Sequence, residues 1–177
     1  MFVLKITNNE NLHYMKQITP FLWFDDNAEE AVNFYTSVFK DSKVQSMTRY
    51  DEAAAKATGR AKGSLMTAAF QLNGQEFIAL NGGPQFKFTE AVSFVINCES
   101  QKEVDYFWEK LTVGGDAKAQ QCGWLKDKYG LSWQVVPTIL SKLLADKNAK
   151  KSQSVMMAML QMKKIDIAGL EKAFAEG

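Results

Sequence analysis

Histidine is nearly missing from this chain: among 177 residues there is one, His13. A multi-histidine metal site or a buried Ser-His-Asp arrangement therefore lacks its parts. Cysteine is almost as scarce, and Cys98 and Cys122 make no disulfide framework, so both are expected to be reduced thiols. No apolar run approaches the length that crosses a bilayer. The opening Met-Phe-Val-Leu-Lys-Ile gives way to polar Thr-Asn-Asn-Glu-Asn rather than to a cleavage site. An excess of one charge is missing too: 21 Lys and Arg face 20 Asp and Glu, so no net field draws nucleic acid or an anionic membrane, and no basic stripe with interleaved aromatics is present. These absences predict a cytoplasmic protein whose partner is a small or neutral molecule, with no nucleic acid and no membrane involved.

Hydrophobic residues are plentiful, at 46%, enough for a proper core in one domain or two fused halves. Their arrangement repeats. Residues 21–39 have a degenerate copy in residues 93–111, with Phe24 falling on Ile96, Val32 on Val104, Asn33 on Asp105, Phe34 on Tyr106 and Tyr35 on Phe107. Residues 1–14 follow no periodic pattern and read as a loose tail or an extra strand. Residues 18–24 read as a strand apolar on both faces, which calls for cover on both sides. Asn27 and Glu30 then stand in capping-box spacing before a helical stripe of Ala31, Val32, Tyr35, Val38 and Phe39.

Residues 43–50 and 64–72 alternate as strands, and Asn73-Gly74 predicts a hairpin into residues 76–80. The first unit is therefore βαβββ over residues 15–84. Within it, residues 51–63 form either a short helix or a lid. The second unit, residues 90–137, repeats the pattern, with a strand at 91–97, a Ser100/Glu103 capping box, a stripe of Val104, Phe107, Trp108 and Leu111, a weak third element, and a hairpin of 122–127 with 131–136. Residues 138–177 form a helical extension, with one helix after Ser152 carrying Val155, Met159 and Met162, and another opening at Asp166.

A twofold βαβββ repeat resembles the vicinal oxygen chelate superfamily of glyoxalases, bleomycin-resistance proteins and extradiol dioxygenases. The sequence is similar above all to its PhnB-like branch, whose members are often labelled 3-demethylubiquinone-9 3-methyltransferases. The resemblance is carried by Ile18-Thr19-Pro20-Phe21-Leu22-Trp23-Phe24, by Ala79-Leu80-Asn81-Gly82-Gly83-Pro84, and by Cys122-Gly123-Trp124-Leu125-Lys126-Asp127-Lys128-Tyr129-Gly130 with Ser132-Trp133-Gln134-Val135-Val136-Pro137. It implies an α+β, glyoxalase-like fold: two modules forming an open U-shaped mixed sheet around a cavity, commonly completed by a homodimer. In metal-dependent relatives, two histidines and two glutamates ligate from the ends of the modules. The matching positions here are Pro20, Ile78, Val92 and Gln134, or, with a one-residue slip, Phe21, Ala79 and Ser93. None is a histidine or carboxylate, so no metal and no cofactor is expected. No glycine-rich βα turn for S-adenosylmethionine is present, which counts against the methyltransferase label.

Strand alternation groups Pro20 with Leu22 and Phe24, and Val92 with Phe94 and Ile96, predicting an apolar cavity floor with Gln134 as its main polar group. A three-residue loop with Gly130 in the left-handed region places Trp124 opposite Gln134 and Cys122 opposite Val136; a two-residue loop would turn Trp124 to the helix-covered side. The expected ligand-binding residues are thus Leu22, Phe24, Phe94, Cys122, Trp124 and Gln134. Each has a plainer reading. Trp124 and Trp133 could be core aromatics, Cys122 a buried thiol, Gln134 a partner for a backbone group, Glu76 a solvated carboxylate, and Lys126-Asp127-Lys128 a solvated turn. The leading expectation is a metal-free domain that binds a small, largely apolar or aromatic molecule. The alternatives are an enzyme of the same superfamily, with Glu76 as base and Gln134 as polariser, or a structural interaction protein using its Met-rich C-terminal helices.

Overall fold

The computed structural model describes residues 18–177; His13 and the tail at residues 1–14 lie outside them. The first unit runs β1 (Phe21–Phe24), α1 (Ala28–Val38), β2 (Lys43–Arg49), α2 (Glu52–Thr58), β3 (Leu65–Leu72) and β4 (Gln75–Asn81). Its strands form one sheet in the order β1-β4-β3-β2, with β1 parallel to β4 and the remaining pairs antiparallel. The second runs β5 (Phe94–Cys98), α3 (Gln101–Thr112), β6 (Trp124–Lys126) and β7 (Ser132–Pro137), in the order β5-β7-β6. Here β5 is parallel to β7 as β1 is to β4. The glyoxalase-like α+β fold is present in both units, but the second has three strands: where its second should lie, Ala117–Ala119 is a 3-10 turn capped by the Asp116 side chain.

Helix α1 forms because Ala28, Ala31, Val32, Tyr35 and Val38 fall on one face, and all are buried. Its start departs from the capping box expected from Asn27 and Glu30. The Asn27 side chain makes no cap bond; instead the buried Asn81 at the end of β4 accepts from the Ala28 N–H at 2.8 Å and donates to the Leu65 carbonyl. Tyr50 donates to the Asn81 carbonyl, so one side chain and its backbone hold helix start, β3 and β4 together. In α3 half of the expected box forms: Ser100 accepts from the Glu103 N–H, while the Glu103 carboxylate accepts from the Glu99 N–H, one residue before the cap. Residues 51–63 contain helix α2, capped by the Asp51 side chain and ended by Gly59 at φ +71°.

The two sheets are not hydrogen-bonded to each other. They share one core through the faces that carry the helices. Tyr35 of α1 lies against Trp133 of β7, Phe39 meets both Phe107 of α3 and Trp133, and Phe77 of β4 meets Phe94 of β5. The Tyr106 hydroxyl of α3 donates to the last carbonyl of α1. The opposite faces of both sheets consequently look outward, and the single U-shaped sheet expected from the resemblance is, within one chain, two sheets set covered face to covered face.

The C-terminal extension has three helices, not two: α4 (Thr138–Leu144), α5 (Ala149–Leu160) and α6 (Ile167–Glu176). Leu140, Val155, Ile165 and Leu170 make a second small core with Val136 of β7 against it. Among the described residues no helix is long and apolar enough to cross a membrane.

Candidate functional site

Strand β1 decides which residues can meet a ligand. Leu22 and Phe24 are buried in the core beneath α1, while Phe21 is 55% exposed and Trp23 half-buried. The pairing of β1 with β4 sets Phe21 beside Ile78 and Trp23 beside Leu80. The outward face of the first sheet therefore carries Phe21, Trp23, Ile78, Leu80 and Glu76. This corrects the expected floor of Leu22 and Phe24: alternation was right, but the face chosen was the helix-covered one. The indole of Trp23 lies over Gly82, where a Cβ would run into the ring, and its N–H donates to the Gly83 carbonyl at 2.8 Å.

The same holds for β5. Phe94 turns inward, in ring contact with Phe77 and Trp133, and is separated from Gln134 by the thickness of the strand. On the outward face of the second sheet, Gln134 donates to the Ser93 hydroxyl at 2.9 Å and pairs across the ladder with Trp124. That is the register of the three-residue loop, and Gly130 has φ +86°. The corner positions that share the outward faces are thus Phe21 and Ile78 in one sheet, Ser93 and Gln134 in the other. Beside the second pair, the buried Ser132 hydroxyl has no hydrogen-bond partner among the described residues.

Cys122 does not stand opposite Val136. With φ +52° it leaves the ladder, and its N–H and that of Gly123 donate to the Met162 and Lys163 carbonyls of the C-terminal extension. Glu76 is on the other sheet, its carboxylate receiving Gln45 at 3.1 Å. The expected site residues therefore separate: Trp124 and Gln134 adjoin, Leu22 and Phe24 belong to the core, Phe94 faces an inner cleft, Cys122 is held by the extension, and Glu76 is on the first sheet. Cys98 is fully buried, and burial, with the Glu103 and Glu99 charges, pushes its thiol up to about 12.

Asp127 is the residue that sequence reasoning missed. Read as part of a solvated turn, it is 3% exposed. One carboxylate oxygen accepts from the Tyr129 and Leu131 N–H groups, closing the β6–β7 loop; the other accepts from the Tyr35 hydroxyl and the Trp133 indole, each at 2.8 Å. Burial raises its pKa despite these four donors, and burial with the neighbouring carboxylate lifts that of Tyr35 further. The available signal was an Asp placed to form an Asx-turn before Gly130, near a Trp that needs an acceptor. The flanking lysines are the solvated part, Lys126 pairing with Glu90 and Lys128 with Glu30.

The metal sites of the superfamily require several anionic or imidazole donors. Phe21, Ile78, Ser93 and Gln134 offer one hydroxyl and one amide, so they do not fit such an ion. Among the described residues no group of three or more His, Cys, Asp or Glu side chains comes together.

Comparison with known proteins agrees with this architecture. A family described as 3-demethylubiquinone-9 3-methyltransferase matches residues 16–136. The chain belongs to this family, the PhnB-like branch of the vicinal oxygen chelate superfamily. Its fold is similar to that of a Bacillus cereus PhnB protein carrying the same description, at 39% identity and TM-score 0.60, over 70% of this chain and all of the other. It also resembles a protein from Pseudomonas aeruginosa (19% identity, TM-score 0.54, 70% and 98% covered) and the fosfomycin resistance protein FosX of Listeria monocytogenes (16%, 0.50, 75% and 99%). No curated protein matches the sequence. For this PhnB-like chain the matched region ends at β7, leaving the C-terminal helices outside it.

Proposed function

We propose that this PhnB-like protein is a metal-free, cytoplasmic small-molecule-binding domain that works as a homodimer. The reading rests on the Ser93–Gln134 pair beside Trp124: a polar corner and an aromatic platform on a half-open face, at positions where the superfamily's chemistry would need ligating side chains. A small, largely aromatic molecule is held by stacking on Trp124 and oriented by the Gln134 amide. The other wall comes from a second copy. Among the described residues, strands β1 and β5 are each unpaired along one edge, and Phe21 and Val95, at 55% and 51% exposure, stand on the outward faces beside them. Laying β1 of one copy along β5 of another sets Phe21 and Ile78 across from Ser93 and Gln134 and removes two bare sheet edges.

Methyl transfer, the activity in the family's description, is not the reading favoured here. Strand β1 turns into α1 through Asp25-Asp26-Asn27, with no glycine-rich cradle for the cofactor.

The test is a panel of small aromatic compounds titrated against tryptophan fluorescence. A hit should quench emission in the native protein, lose roughly tenfold or more affinity in Trp124→Ala and Gln134→Ala, and bind undiminished after chelator treatment, which should also leave the melting temperature unchanged. Loss of binding or of several degrees of stability on chelation would sink the proposal in favour of a metal-dependent enzyme.

A further inference from the structure

A cavity lies between the two units, along the unpaired edge of β5, with a volume of about 690 Å³. It is separate from the outward corner of Ser93 and Gln134. That volume falls within the range of sites for small organic molecules. Its floor is aromatic: Phe39 lies within 5.3 Å of both Phe107 and Trp133, and Phe94 is 5.7 Å from Trp133, measured between ring centres. At its mouth stand the exposed Lys40, at the end of α1, and Lys102, in the first turn of α3. Neither makes an ion pair among the described residues. The one carboxylate among the lining residues, Glu103, accepts from the Glu99 N–H just before α3.

We propose that this inter-unit cleft binds a planar aromatic carboxylate, with the ring system against the Phe39–Trp133–Phe94 floor and the carboxylate between Lys40 and Lys102. The aromatic floor selects a flat apolar body. Two ammonium groups against the single Glu103 carboxylate select a negative end, and an exposed mouth makes that selection modest and sensitive to salt.

The probe is 2-naphthoate, compared with neutral 2-naphthamide by calorimetry on the full chain. One molecule of naphthoate should bind per chain, about fivefold tighter than the amide at low salt, and the preference should shrink as salt is raised. The double variant Lys40→Gln/Lys102→Gln should bind both compounds alike. Asn97→Trp and, from across the cleft, Gln75→Trp change exposed residues and should each block binding while leaving circular dichroism unchanged. Trp124→Ala, on the other face of the sheet, should leave naphthoate affinity as it was. The inference is overturned if naphthoate does not bind, if it binds both occluding variants normally, if the charge preference survives loss of both lysines, or if Trp124→Ala alone abolishes binding. The last outcome would move the ligand to the outward site and leave the proposed function standing.

Discussion

Asp127 shows how much one residue can hold. Its two oxygens receive four donors, two from its own loop, one from Trp133 of β7 and one from Tyr35 of α1 in the other unit. In Asp127→Asn one oxygen becomes an NH₂ group, which cannot accept from either donor it faces. A loss of roughly 2–3 kcal/mol is expected in denaturant unfolding. The pH dependence carries a definite sign. Because burial raises the folded-state pKa of Asp127 above its unfolded value, its titration contributes stability that is complete below the ordinary aspartate range and is lost as pH rises through the folded value. The stability of the native protein minus that of Asp127→Asn should therefore shrink as pH rises above the ordinary aspartate range; a gap that widened with pH would contradict the burial argument. This residue was read from sequence as solvated because it sits between two lysines in a turn. One of its two side-chain partners, Tyr35, is 92 positions away, beyond any local pattern.

At the scale of elements, periodicity performed well where one face differs from the other. The stripe of α1, the Asn73-Gly74 hairpin and the register of β6 with β7 are all present, each set by local chemistry: apolar spacing, a turn with positive φ at Asn73 and Gly74, and Gly130 in the left-handed region. Two helix starts and one strand went differently. Helix α1 takes its cap from Asn81 rather than from Asn27, because a buried amide reaching from β4 satisfies the Ala28 N–H while its nitrogen satisfies the Leu65 carbonyl. Asn81→Ala should thus leave both groups without partners and cost about 1–3 kcal/mol, more than the ~1 kcal/mol typical of an exposed cap; equal losses for Asn81→Ala and Asn27→Ala in thermal unfolding would refute the assignment. Helix α5 begins at Ala149, capped by the Asn148 side chain, and α4 follows β7 directly through Pro137. The missing strand of the second unit is a short segment of alanine, lysine and glutamine, which lacks the β-branched and aromatic side chains that a pleated surface buries.

Among the described residues, the outward face of the first sheet is open and that of the second is open at Val95 and Gln134 but covered by the C-terminal helices at Val136, and the open parts are what a second copy would complete. Phe21→Lys places a charge at the proposed contact without touching the core beneath α1. Sedimentation should show the native protein as a dimer and the variant as a folded monomer with unchanged far-ultraviolet circular dichroism. A monomeric native protein, or a variant that dimerises as tightly, would remove the second wall from the proposed site. The aromatic floor of the inter-unit cleft is built within one chain and should persist in the variant, while its rim at Val95 and Asn97 lies on the β5 edge that a second copy would cover.

The internal repeat and the spacing of apolar residues were enough to determine most elements and their order, because each depends on neighbours a few positions apart, and the motifs shared with the PhnB-like branch carried the family. Which face of β1 points inward was decided only by tertiary structure: Phe21, Leu22, Trp23 and Phe24 are apolar on both sides, so alternation has no contrast to read, and the packing of α1 onto β3 and β4 alone selects Leu22 and Phe24 for the core. The burial of Asp127 and the cleft between Phe39, Phe94 and Trp133 arise in the same way, from the docking of two units whose contacting residues are distant along the chain.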